Sequence, residues 1–450
     1  MKKDKNKNKN KKMRKIYSIA EKLEANILSA LLMTILISVI LVINVIKGTF
    51  NIKDFIDTQV LSSIFAVLLC GIFADIIRKN IEKKCEDYAK LTKDYDELNK
   101  KYSSNNLIKV NMGKEKNVFP VICLLMKNKD YDKICINDNK EKKYQIPTQI
   151  CEHSEEIMKV HKQSKLYNNI NVRLDKIYVE DKTVILNTSR TTYFDSMITN
   201  RAMDLQWNNK KSIREVYEPG PYISELEDSR LSNHLGFNGF VETTEGKIIF
   251  VLRKDNVSIG KNTLADSIGA SLKTKYAIDQ NHDVDLTGIG TAILAEIKDE
   301  LGIDVIGEVI KRKGIECNQR KKEELERKLV NITVNSIIAF YRDLVEGGKP
   351  QFLFYLKLSD IDDCFNNEFV RNVFNSNKKS IKGKTDKETN MKIDGEKYIL
   401  LSIKELQKTY IDAGKIVLNS NSKHDNEYEM MPSASACIVM LLKYIENNKN

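Results

Sequence analysis

The stretch Ile27–Ile46, ILSALLMTILISVILVINVI, runs twenty residues without a charge. As a helix it would measure about 30 Å, the thickness of a bilayer's hydrocarbon core. A second uncharged run of seventeen, Thr58–Ala74, follows, with Asp57 and Asp75 at its ends. The first run is too long for the apolar part of a secretory signal and lacks an A-x-A cleavage site. A buried core helix is the competing reading of the second. Two membrane spans are therefore expected, joined by a short loop. Positive charge orients them: residues 1–15 are dense in Lys, and the far flank opens RKNIEKK, Arg78–Lys84. The loop between carries only Lys47 and Lys53 beside Asp54 and Asp57. Both termini are expected on the cytoplasmic side.

Charge elsewhere narrows the partners. The chain's net charge is +11, and residues 1–15 hold nine Lys or Arg against one Asp, a net of +8. Only +3 is left for the other residues, so the basicity is a tail suited to a membrane surface, and no nucleic acid is expected as partner. The eight cysteines are scattered, without a C-x-x-C pair or a neighbouring His cluster. That pattern argues against a zinc site or a disulfide framework.

The expected order is a basic tail (1–24), two transmembrane helices (25–77), a stalk helix (78–105), an α/β region (106–235) and a second α/β domain (236–450). Ile81, Cys85, Tyr88, Leu91, Tyr95, Leu98 and Tyr102 recur at steps of three or four, as in a stalk that makes a homo-oligomer or a single amphipathic helix. Strands are expected at Val118–Met126, Ile170–Val179 and Lys182–Ser189. Gly236–Lys254 reads as a hairpin around Thr244-Glu245-Gly246, and Thr333–Leu358 as another. Asp304–Arg312 reads as a strand. The chain's last element reads as a helix with Ser433 as its N-cap.

Two clusters carry candidate chemistry. In AILAEIKDELGI, Ala292–Ile303, helical geometry puts Glu296, Asp299 and Glu300 within an arc of roughly 100°, beside an apolar stripe of Ile293, Ile297 and Leu301. Like charges so close repel unless a cation sits between them, and Mg²⁺ or Mn²⁺ takes such oxygen ligands. A solvated acidic face neutralised by Lys is the other reading. The second cluster, Ser189–Trp207, brings Arg190, Tyr193 and Arg201 together with hydroxyls, a mixture able to hold phosphate and stack a base. An amphipathic helix paired by salt bridges is its alternative. Arg253 and Lys254 are further candidates to neutralise phosphate.

The segment Ala295–Ile303 resembles the end of the Nudix signature, G-x5-E-x7-R-E-U-x-E-E-x-G-U, with matches at Glu296, Ile297, Glu300, Gly302 and Ile303. Asp299 stands for a Glu. Ala295 replaces the signature Arg, and Asn281 and Thr287 occupy the places of the upstream Gly and Glu. The Gly of DSIGASL takes the earlier role if about Lys273–Asp285 is an insertion. The resemblance implies a Nudix-like α/β/α sandwich, with Glu296 and Glu300 catalytic and Glu296, Asp299 and Glu300 holding Mg²⁺ or Mn²⁺ if the domain is active. The whole layout is similar to effectors of bacterial cyclic-oligonucleotide antiphage defence (CBASS) with two transmembrane helices and a Nudix-like domain. That likeness implies a multi-pass protein of the bacterial inner membrane, a cyclic di- or trinucleotide signal made by a CD-NTase, and membrane disruption on binding. Arg190, Tyr193, Arg201, Arg253 and Lys254 would then meet the ligand. A membrane-anchored Mg-dependent Nudix hydrolase of nucleoside diphosphate-linked substrates is the alternative.

Overall fold

Strands at the centre of a sheet covered on both sides read as continuous apolar runs rather than alternating ones. That is how β12 (Ile337–Asp343) and β13 (Lys349–Lys357) are built: IIAFYRD is buried throughout, and KPQFLFYLK is buried up to its last residue. The computed structural model describes residues 91–112, 115–159, 168–207, 211–253, 263–380, 397–418 and 426–448, and residues from Lys90 on form one unit.

The main sheet runs β1 (Leu107–Met112), β2 (Glu115–Met126), β12, β13, β8 (Gly236–Glu242), β9 (Lys247–Leu252), β10 (Leu264–Ala265). Two strands lie off this path: β11 (Ile268–Ser271) pairs with β8, and β14 (Lys397–Ser402) with β9. β13 and β8 are parallel, and the other pairs in this sheet are antiparallel. Strands from both sides of residue 236 thus share one sheet. A second sheet orders β3 (Lys133–Lys143), β5 (Thr183–Thr192) and β4 (Ile170–Glu180). β6 (Gln206–Trp207) and β7 (Lys211–Ser212) form a minimal ribbon, and β15 (Tyr410–Ile411), β16 (Lys415–Leu418) and β17 (Asn426–Glu429) a small third sheet.

Helices close both faces. α1 (Tyr95–Lys101) and α2 (Tyr193–Met197) are short. On one face α3 (Leu286–Leu301), α4 (Val305–Arg312), α5 (Gln319–Asn335) and α6 (Asn367–Ser380) share a core with Phe237, Phe340, Phe352 and Phe354. On the other, α7 (Pro432–Asn447) covers Phe240, Tyr341 and Leu353. The architecture is mixed α/β with helices on both sides of the main sheet.

The expected fold class and location need correction. Among the described residues, no helix is long and apolar enough to cross a membrane, which does not fit a fold with two transmembrane helices or a multi-pass inner-membrane protein. The physical reason lies in the helices themselves. α7 has 16 residues, short of the roughly 20 a span needs. α5 has 17 and is rich in Lys, Arg and Glu. The runs Ile27–Ile46 and Thr58–Ala74, the basic tail and residues 78–90 of the stalk lie outside the described residues. The described end of the stalk is α1, whose Leu98 and following Tyr102 are buried in a core with Ile198 and Leu344.

Two local readings also change. Residues 304–312 form the helix α4 instead of a strand: Asp304 accepts from the Gly307 N–H at 3.0 Å, and Val305 and Val309 bury one face four residues apart. The final helix starts at Pro432, with Met431 in the N-cap position and Ser433 inside it. The expected strands at 118–126, 170–179 and 182–189, the 244–246 turn and the hairpin of β12 and β13 are present.

Candidate functional site

The carboxylate helix is longer than the signature segment. Asp285 caps it, accepting from the Gly288 N–H at 2.6 Å, and Gly302 ends it in the left-handed region at φ 72°. Gly288 is there for space, since a Cβ would stand 2.1 Å from the Ala277 carbonyl oxygen. That contact seats α3 against the short helix Thr274–Ala277, which brings Lys273 and Tyr276 alongside the acidic face.

The three carboxylates meet different partners. Glu296 is 4% exposed and is ion-paired with the Lys273 ammonium. Glu300 accepts the Gly269 N–H of edge strand β11 at 3.1 Å. Burial, with the Glu296 charge adding to it, pushes the Glu300 carboxyl up to about 7, against the pull of Arg253. Asp299 faces the Tyr276 hydroxyl, which donates to it at 3.4 Å. Among the described residues, no three His, Cys, Asp or Glu side chains group to hold a metal ion. With Lys273 on Glu296 and a backbone N–H on Glu300, this set does not fit a resident Mg²⁺ or Mn²⁺. The ammonium supplies the positive charge that the spacing of these carboxylates calls for.

The main sheet forks beside this helix. β8 touches β9 only through the pair Glu242–Ile248, while its other end pairs with β11 from Ile268–Gly239 to Ser271–Gly236. Arg253, just past β9, reaches across the fork. A Cβ on Gly269 would stand 3.3 Å from its Nη1 and 3.5 Å from the Asn238 Oδ1. Arg253 Nε has no hydrogen-bond partner among the described residues. Asn238, Arg253, Gly269, Lys273 and Glu300 are all half-buried around this fork. Asp266 lies behind Asn238 and Arg253, 3% exposed.

The second cluster divides. Arg190 forks onto Asp138 at 2.7 and 2.6 Å and also donates to the His282 carbonyl at 3.1 Å. Burial alone would raise Asp138, but hydrogen bonds from Arg190, Thr188 and the Val284 N–H hold it below the usual carboxylate range. Arg190 therefore ties β3, β5 and the loop before α3 together. Arg201 and Tyr193 do come together, with the guanidinium 5.0 Å from the ring centroid and donating to the hydroxyl. Arg201 also pairs with Glu346, which is 3.4 Å from Lys349 as well. Burial alone would raise Glu346, and Lys349 and Arg201 hold it below its ordinary value. Of the five residues expected to meet a ligand, only Arg253 lies beside Glu300, and Lys254 lies outside the described residues.

Sequence reasoning missed Lys273, Asn238 and Asp266. Their signal is faint: Asn238 and Asp266 are polar residues near glycines in GFNGF and DSIGAS, and Lys273 follows two residues after the second. An open groove of about 560 Å³ is lined by residues that include Lys275, Tyr276, Gln280, Asn281, Thr287 and Thr291.

No protein-family model matches the chain, and no curated protein matches it.

Proposed function

We propose that the described part of the chain is a Nudix-like module that senses a cyclic oligonucleotide in a bacterial antiphage signalling system of the CBASS kind, the signal being the product of a CD-NTase. The observation that carries the reading is Arg253, a half-buried guanidinium with an unpartnered Nε, held over a small-residue floor of Gly269 and Asn238. A guanidinium so placed suits a phosphodiester, because its planar fork matches two phosphate oxygens. The order hairpin, glycine strand, acidic helix supports the Nudix-like part of the proposal, as does the bond between Gly269 and Glu300. Binding also tolerates the departures from the signature at Ala295, Asn281 and Thr287, which catalysis does not.

A second reading, a hydrolase of nucleoside diphosphate-linked compounds, is favoured by Glu300 alone. A carboxyl raised to about 7 can take and return a proton near neutral pH. The two are separated by incubating the full chain with cyclic di- and trinucleotides and with dinucleotide diphosphates, with and without Mg²⁺. The sensing reading expects a cyclic oligonucleotide to be retained unchanged, with Arg253→Met weakening it by about tenfold or more. Cleavage of a diphosphate, lost in Glu300→Gln and without retention of any cyclic oligonucleotide, sinks it.

A further inference from the structure

We propose that the turn joining α4 to α5 docks on the phosphate backbone of a nucleic-acid duplex. Residues 311–322, KRKGIECNQRKK, hold six Lys or Arg against Glu316, a net of +5. Residues 16–450 together carry only +3, so the others among them sum to −2. The summed charge, from which no nucleic-acid partner is expected, conceals this local excess.

The turn is tight, so both helix ends present their charges together. The Gly314 N–H donates to the Lys311 carbonyl at 3.1 Å and the Ile315 N–H to the Ile310 carbonyl at 3.3 Å. Asn318 then caps α5, accepting the Lys321 N–H at 3.0 Å. Lys311, Lys313, Arg320 and Lys321 are exposed, and Lys322 is half-buried. Arg312 is taken by Asp362 at 2.9 Å and Asp363 at 2.6 Å. The other five cations make no ion pair among the described residues.

Helix dipoles account for only part of this set. Lys311 and Lys313 stand at the C-terminal end of α4, where cations are favourable. Arg320, Lys321 and Lys322 stand in the first turn of α5, which has no acidic residue, and there cations are unfavourable. Glu323, Glu324 and Glu326 come after them, the less favourable order for such pairs along a helix, and Glu323 already accepts the Gln319 amide at 2.9 Å. A polyanion lying across the turn offsets what the helix leaves uncompensated.

The kind of polyanion follows from what the turn lacks. It has no aromatic residue, so nothing in it stacks on unpaired bases. The exposed large apolar side chains among the described residues, Ile170, Val216 and Tyr222, lie elsewhere in the chain, so nothing in the turn inserts into a bilayer. Lys and Arg alone suit the dense, regular charge of a duplex backbone, gripped without regard to sequence.

The test is fluorescence anisotropy of a short labelled DNA duplex with the full chain, from about 50 to 200 mM salt. Lys311→Gln, Lys313→Gln, Arg320→Gln, Lys321→Gln and Lys322→Gln combined should weaken binding about tenfold or more and lower the slope of log K against log salt by about four. Residues 1–15 carry charge that binds the same probe, so the loss is read against the wild-type chain, which shares that tail. Wild type should bind a duplex of scrambled sequence equally well. The variant should melt cooperatively at or above the wild-type temperature, because three cations leave the first turn of α5. Wild-type affinity and slope in the folded variant overturn the proposal, as does a wild-type chain that binds no duplex. Loss of binding to vesicles of anionic lipid with duplex binding unchanged also overturns it, and assigns the turn to a lipid surface. If the fivefold variant does not fold, the Arg320→Gln, Lys321→Gln and Lys322→Gln triple decides by the same affinity and slope.

Discussion

The two faces of β8 are made from alternate residues of one strand and serve opposite ends. Toward α3 the strand presents Phe237 and Val241, packed among aromatic rings; Phe237 stacks on Phe352 with centroids 5.0 Å apart. Toward α7 its first residues are Gly236 and Asn238, beside Lys349, Gln351 and Arg253. The first face fills its space with apolar volume. The second keeps polar groups among its apolar ones, among them Asp266, 3% exposed beside Asn238 and Cys437. A period of two puts Phe237 and Val241 on one side of the strand and Gly236, Asn238 and Phe240 on the other.

The largest expected effect is on the packed face. Phe237→Ala should lower stability by about 3–5 kcal/mol in denaturant titration, because it empties a stacked ring from a closed core. A loss under about 1 kcal/mol would mean that this face is not the structural one. Gly239→Ala comes next. Its Cβ would stand 2.0 Å from the Phe354 ring, so the ring must move. The expected cost is about 1–3 kcal/mol by the same measurement.

On the acidic helix α3 the expected signature is a pH slope. Glu300 is raised from 4.5 to about 7 in the folded chain, so the folded state binds more protons than the unfolded one between those values. Stability should therefore fall as pH rises from about 4.5 through 7, by on the order of 1 kcal/mol after allowance for a half-buried side chain. Asp343 is also raised to about 7, by burial and then by Glu346, and it adds a fall of the same sign. Thermal melts from pH 5 to 8 should show a shallower fall in Glu300→Gln, and an unchanged slope would remove Glu300 from the account. The smallest effect belongs to Gly236→Ala. Its nearest contacts would be the Gln351 Oε1 at 3.2 Å, with the Ala270 carbonyl and the Lys349 Cε at 3.3 Å. Two of the three are ends of movable side chains, so a cost below about 1 kcal/mol is expected. A cost equal to that of Gly239→Ala would erase the difference between the faces.

What could be read in advance was what repeats locally. The strands at 118–126 and 170–179, the Gly246 turn and the acidic helix stopped by Gly302 follow from period and turn chemistry within a few residues. Residues 304–312 misled because VIGEVI is short and rich in β-branched residues, while its apolar pairs repeat at a helical step of four. In the candidate site, the acidic face of α3 and the glycine of DSIGASL were legible, and Arg253 was among the candidates. Arg190 was equally plausible as a ligand arginine until Asp138, fifty-two residues away, was seen to occupy it.

The amino-acid sequence by itself determined several strands and hairpins and the acidic and final helices, that Glu296, Asp299 and Glu300 share one helical arc, and that the basic charge is concentrated in the first fifteen residues. Only the tertiary structure decided what each of those charges meets. Lys273 reaches Glu296 across twenty-three residues, and Gly269 reaches Glu300 across thirty-one. The fork of β8 between β9 and β11 is what sets Arg253 over Gly269 and beside Asp266. The physical reason is range. Periodicity and capping act over one or two turns of chain and are written in neighbouring residues, whereas the partner of a charge is chosen by which strands and helices come to lie side by side.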